Sequence, residues 1–109
     1  LYTPDQLNFD AQIERSFLPD MIRIADENNI QLIFVRIKVE THEPDAELNT
    51  YIASLTNYLN ENHALVLDYG TDPRLSHEFF RDSIHLSDEG KVLFTQILAN
   101  GLNELFAGK

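Results

Sequence analysis

Asp82 and His85 stand three residues apart in RDSIHLSDEG, residues 81–90. A histidine with an ordinary pKa near ~6.5 can take a proton from a serine hydroxyl at neutral pH. A carboxylate on its other ring nitrogen fixes the tautomer and stabilises the imidazolium. An i to i+3 spacing across one turn brings the two side chains within reach. The spacing alone carries little information, because nine Asp and four His in 109 residues give about 0.3 chance occurrences of Asp-x-x-His. The plainer reading is an ordinary helix-entry turn: Ser87 can cap the helix that follows, and Asp88 and Glu89 suit its positive end.

The elements that must position the pair alternate between helix and strand. In TPDQ, residues 3–6, Thr3 is a candidate N-cap, Pro4 fits the first helical position and Gln6 completes a capping box, which predicts a helix start. Ile13, Phe17, Met21 and Ala25 recur every four residues, and Pro19 must kink that run or divide it in two; Asn28 and Asn29 close it. IQLIFVRIKV, residues 30–39, is apolar on both faces through Val35, as in a central parallel strand covered by helices on each side. Pro44 opens a second helical stretch with Leu48, Ile52, Leu55 and Leu59 on one stripe, and NENH at 60–63 ends it. ALVLDY, 64–69, reads as a second short strand. Gly70, Asp72 and Pro73 break the chain, a helical turn covers 74–79, and a last helix runs from about Asp88 to Phe106. The order is an α/β layer with parallel strands, in one unit without repeats or linkers.

In open parallel sheets ligands bind at the carboxyl ends of the strands. Those ends are here Arg36 to His42 and Asp68 to His85, which puts Asp82 and His85 on the functional rim. Arg36 and Lys38 lie on the same rim and can hold a substrate anion or carbonyl, although strand-end cations are more often solvated gatekeepers. His42, His63 and His77 share no metal-ligand spacing and read as surface histidines, and HEFF lacks the second His of a zinc-protease helix.

Composition narrows the function classes. A formal charge of -10 repels phosphate backbones and anionic membrane surfaces, so a nucleic-acid partner is not expected. With no cysteine there is no disulfide, thiolate metal site or Cys nucleophile, and the compartment stays open. No stretch approaches the ~20 apolar residues of a membrane span. Hydrophobic residues at 43%, with eleven Phe and Tyr, suffice for a core. A chain that starts at Leu1 rather than Met is expected to have lost its original N-terminus.

Phe80, Asp82, His85, Leu86, Ser87 and Gly90, followed by an apolar helix, together resemble the C-terminal block of the SGNH (GDSL-like) hydrolases. ADENNIQLIFVRIK and YIASLTNYLNENHALVLDY look like that family's fourth and fifth strands with their leading helices, so the resemblance covers nearly the whole chain. It implies the C-terminal portion of a three-layer α/β/α, flavodoxin-like fold over residues 1–109. Asp82 and His85 become the acid and base of a Ser-His-Asp triad that acts on acyl esters through a covalent acyl-serine, with no metal or cofactor. The family's nucleophile sits in a Gly-Asp-Ser motif on the first strand, and its oxyanion hole uses that serine's amide with a Gly and an Asn from earlier blocks. None of these occurs in the sequence, and Ser16, Ser54, Ser76, Ser83 and Ser87 lie in other contexts. The nucleophile-bearing N-terminal half is therefore expected to be missing, and the chain alone to be inactive.

Three functions follow from different classes: an SGNH esterase, an SGNH-type O-acyltransferase acting on cell-envelope polysaccharide, and a non-enzymatic α/β binding module that keeps an Asp-x-x-His turn. A sheet of two strands is marginal. The strand at 31–37 should therefore pair along its open edge with the missing half or, antiparallel about a two-fold axis, with a second copy.

Overall fold

A computed structural model describes residues 2–40 and 45–107. Pro44, expected to open a helix, and His42, expected at the surface, lie outside those residues. The described residues form a mixed helix and strand fold: α1 (Phe9–Arg15), α2 (Leu18–Glu27), β1 (Ile33–Arg36), α3 (Ala46–Glu61), β2 (Leu65–Asp68), a 3-10 turn (His77–Phe79) and α4 (Asp88–Ala107). β1 and β2 pair in one sheet. Leu65 N–H donates to the Leu32 carbonyl at 3.0 Å and Tyr69 N–H to the Arg36 carbonyl at 2.9 Å. The equal offset of the two bonds makes the strands parallel. By contact density the chain divides into two compact units, Leu1–Val35 with Glu43–Val66 and Arg36–His42 with Leu67–Lys109.

In the first unit the capping box forms, but no helix grows from it. Thr3 N–H donates to Gln6 Oε1 at 2.8 Å and Gln6 N–H to Thr3 Oγ1 at 3.2 Å, and the chain makes only one turn. The helix starts later, at Asn8, whose side chain accepts from Ala11 N–H. Pro19 does divide the run: α1 stops at Arg15, and α2 carries the proline in its first turn, where no donor is needed. That break resets the helical phase. Of the expected stripe only Ala25 is buried, at 4%; Phe17 is 79% exposed and Met21 46%, and Leu18 and Ile22 turn inward in their place.

α2 and α3 end alike. Asn28 and Asn62 are C-caps, followed by Asn29 and His63 at φ 54° and 68°. Ile30 N–H then reaches back to the Ala25 carbonyl at 2.8 Å, and Ala64 N–H to the Leu59 carbonyl at 2.9 Å. Both are Schellman closures, with the residue after the left-handed one bonding into the last turn. Each delivers the chain directly into a strand. Ile22, Leu59 and Ala64 form the first core, with Leu18, Leu32, Phe34, Leu55, Tyr58 and Val66 packed on it. Val35, on the opposite face of β1 from Phe34, is 37% exposed, so the strand is shorter and less covered than the apolar run from 30 to 39 predicts.

In the second unit, Tyr69, Leu75 and Ile97 are buried, and Leu67, Phe80, Leu86, Leu93, Phe94 and Leu98 pack around them. Tyr69 meets Phe94 edge to face at 5.6 Å. α4 presents Gly90, Phe94, Ile97 and Gly101 along one side, and the Tyr69 hydroxyl lies against Gly101 where a Cβ would stand. At its start Ser87 caps the helix, accepting from Gly90 N–H at 3.1 Å. A Cβ at Gly90 would run into the Phe79 carbonyl oxygen.

Leu75, completely buried, anchors the loop after β2. Leu75→Ala is expected to lower the unfolding free energy in urea by about 2–5 kcal/mol. Gly90→Ala should destabilise as well, against the ~1 kcal/mol helix preference of alanine over glycine. A Gly90→Ala chain as stable as the parent would refute that close approach.

Candidate active site

The candidate site is the tip of a loop whose base is tightly held. Phe80 and Leu86 form an isolated antiparallel bridge, and both side chains pack into the second core. Below the bridge, Ser87 donates twice to the Phe79 carbonyl, through N–H at 2.8 Å and Oγ at 3.1 Å. Arg81 through His85, between the two bridging residues, are all exposed, so burial contributes little to fixing their shape. Hydrogen bonds do that work: Arg81 N–H donates to the His85 carbonyl at 2.8 Å and closes the turn.

Asp82 organises the tip. Its Oδ1 accepts from Ile84 N–H at 2.9 Å and from His85 N–H at 2.7 Å. Its two oxygens also lie 3.0 and 2.9 Å from His85 Nδ1. The backbone N–H of Ile84, then the His85 ring and the His85 backbone N–H, hold the Asp82 carboxyl down at about 2. An ionised carboxylate only accepts, so His85 Nδ1 carries the proton. In the neutral imidazole Nε2 is then left with a lone pair. The His85 side chain is 55% exposed, and among the described residues Nε2 has no hydrogen-bond partner. The chemical capacity is that of a general base with its tautomer fixed.

The structure thus brings Asp82 and His85 together and sends Arg36 and Lys38 to other tasks. Arg36 pairs with Asp68 at 3.3 Å, with its guanidinium packed over Gly70. Lys38 Nζ donates to the Leu75 carbonyl at 2.8 Å, tying β1's exit to the loop after β2. Both cations are engaged internally, and neither bonds to Asp82 or His85. No serine hydroxyl reaches His85 among the described residues; Ser87 Oγ, for example, donates to Phe79 and Ser16 Oγ to Ile13. His63 is exposed, and His77 is 94% exposed but pairs through Nδ1 with Glu40 at 3.0 Å. That second imidazole–carboxylate contact spans 37 residues and has no local sequence signal. Among the described residues no three His, Asp or Glu groups gather to hold a metal, and no helix is long and apolar enough to cross a membrane.

No family model, curated protein or solved structure matches the chain.

Asp82 sets the acid limit of the turn. Its folded value lies below the ordinary 3.8, so its contribution is complete above that ordinary value and is lost as pH falls through about 2. The carboxyl carbon of Asp82, followed by NMR, should titrate near 2, while Ile84 and His85 amides stay protected from exchange at pH 3.5. A midpoint at or above 3.5 would contradict the three-donor geometry.

Proposed function

We propose that Asp82 and His85 are the acid and base of a serine acyl-ester hydrolase of the SGNH type. In this reading residues 1–109 are the C-terminal part of a three-layer α/β/α, flavodoxin-like domain, and the serine and oxyanion donors come from another part of the protein. The observation that carries it is the 2.9 Å contact from His85 Nδ1 to an ionised Asp82 on an exposed turn, with Nε2 hydrogen-bonded to nothing among the described residues. The serine hydroxyl gives its proton to Nε2 as Oγ bonds to the ester carbonyl carbon. The tetrahedral adduct collapses when Nε2–H protonates the departing alkoxide, which leaves an acyl-serine. Water then repeats the sequence, passing one proton to Nε2 and releasing the acid as that proton returns to Oγ. Asp82 stabilises the imidazolium in both halves and is not itself protonated.

Arg36 and Lys38 have no substrate role in this reading, since Asp68 and the Leu75 carbonyl engage them. The edge of β1 away from β2, toward which Ile33 and Val35 direct their backbone groups and which pairs with no strand among the described residues, takes a third strand. That strand comes from the rest of the domain or, in the isolated chain, from a second copy. Light scattering on the purified chain should report a dimer; a stable monomer at micromolar concentration would remove the self-pairing. A non-enzymatic binding module is the competing reading, favoured by the lack of a serine hydroxyl on His85 among the described residues.

The two readings separate on a short acyl ester. The chain alone should hydrolyse it no faster than its His85→Ala variant. The protein that includes the serine-bearing half should turn it over and lose roughly 10³-fold or more on His85→Ala. Acyl transfer to an added sugar hydroxyl in place of hydrolysis would identify a transferase using the same pair. Activity insensitive to His85→Ala would remove the triad.

A further inference from the structure

The loop that carries Asp82 and His85 is braced by a residue distant in sequence. Its base is fixed by the Phe79 carbonyl, but its tip, 81–85, is exposed and bonds mostly within itself. Among the described residues one hydrogen bond leaves the tip for another segment: Glu40 N–H donates to the Ser83 carbonyl at 2.8 Å. Ser83 lies between Asp82 and Ile84, inside the turn that Asp82 closes. The Glu40 carboxylate, with the side chain only 21% exposed, accepts from His77 Nδ1 at 3.0 Å. His77 begins the 3-10 turn that ends at Phe79, the residue holding the base.

These contacts close a ring. From Glu40 the path runs through Ser83 to the tip, down the loop to Phe79, back along the 3-10 turn to His77 and across the carboxylate to Glu40. The tip cannot swing away from its base without breaking one of Glu40's two bonds. Lys38, two residues earlier, holds the same stretch of chain on the Leu75 carbonyl, so the brace starts from a fixed point. We infer that Glu40, anchored by His77, is the positioning residue of the Asp82–His85 pair. It touches neither reacting group and acts through Ser83. The catalytic consequence rests on the hydrolase reading; the positioning itself does not.

Amide exchange and the His85 ring resonances of the chain test it without any substrate. Glu40→Ala keeps the backbone N–H that donates to Ser83 but removes the carboxylate that His77 anchors, and should speed exchange at Ile84 and His85 by about three- to ten-fold, the effect of releasing one ordinary hydrogen bond. It should also broaden the His85 Nδ1 proton signal while leaving the Leu75 and Ile97 amides as they were. His77→Ala should do the same, and combining the two should add nothing further. Glu40→Gln keeps an oxygen for His77 Nδ1–H and should restore most of the protection. Unchanged exchange in Glu40→Ala, failure of Glu40→Gln to restore it, or an equal rise at Leu75 and Ile97 would each overturn the inference. In a serine-bearing form, Glu40→Ala should lower kcat by a similar factor with KM unchanged. If no form hydrolyses an ester, the hydrolase reading fails alone, and the exchange data still decide the role of Glu40.

Discussion

The Phe79 carbonyl oxygen is the point on which the second unit turns. It accepts both the N–H and the hydroxyl of Ser87, and it occupies the space that a side chain at position 90 would need. One acceptor therefore ends the 3-10 turn, starts α4 and closes the base of the loop between them. Ser87 serves twice, since the hydroxyl that donates to Phe79 also caps the helix at Gly90. Glycine is needed there for space, not for backbone freedom, and that is why a poor helix former sits in the first turn of the longest helix.

Above that base the forces change. Phe80 and Leu86 are held by apolar burial, and the five residues between them by polar geometry alone. A short exposed loop has little area to remove from water, so its order has to come from directed bonds to a few acceptors. Asp82 concentrates three donors on one carboxylate, and the Ser83 carbonyl takes a fourth bond from outside the turn. Geometry of this kind survives solvent exposure because its strength lies in short local distances.

Much of this was legible in the sequence where one residue type has one physical consequence. Pro19 had to interrupt a helix, paired Asn residues had to end one, and the i to i+3 spacing brought Asp82 to His85, as the contacts show. The failures have a common cause in longer-range competition. Thr3 and Gln6 satisfy each other as a capping box whether or not a helix follows, so the motif fixed a turn only. In the Ile13 to Ala25 stripe Ala25 is buried, but Phe17 and Met21, on either side of the break at Pro19, are not. Arg36 and Lys38 bond to Asp68 and the Leu75 carbonyl, partners 32 and 37 residues away that no local pattern gives. Glu40 and His77 are equally far apart, and no local pattern announces them.

The order of causes at Asp82 matters for what the pair can do. Its carboxyl is held low first by the Ile84 amide and only then by the imidazole, so the charge is secured by backbone groups that do not titrate. Asp82 is therefore ionised whether His85 is neutral or protonated, and Nδ1 keeps its proton in both states. A histidine that trades protons only at Nε2 is what a base serving attack and departure in turn requires. Water around an exposed turn screens a carboxylate's attraction for a neighbouring cation. Covering the tip with another segment would strengthen the attraction by excluding water, and the donors on Asp82 are already in place, so no reorganisation would be needed. The sequence builds the geometry of the pair locally, from an aspartate and a histidine one turn apart.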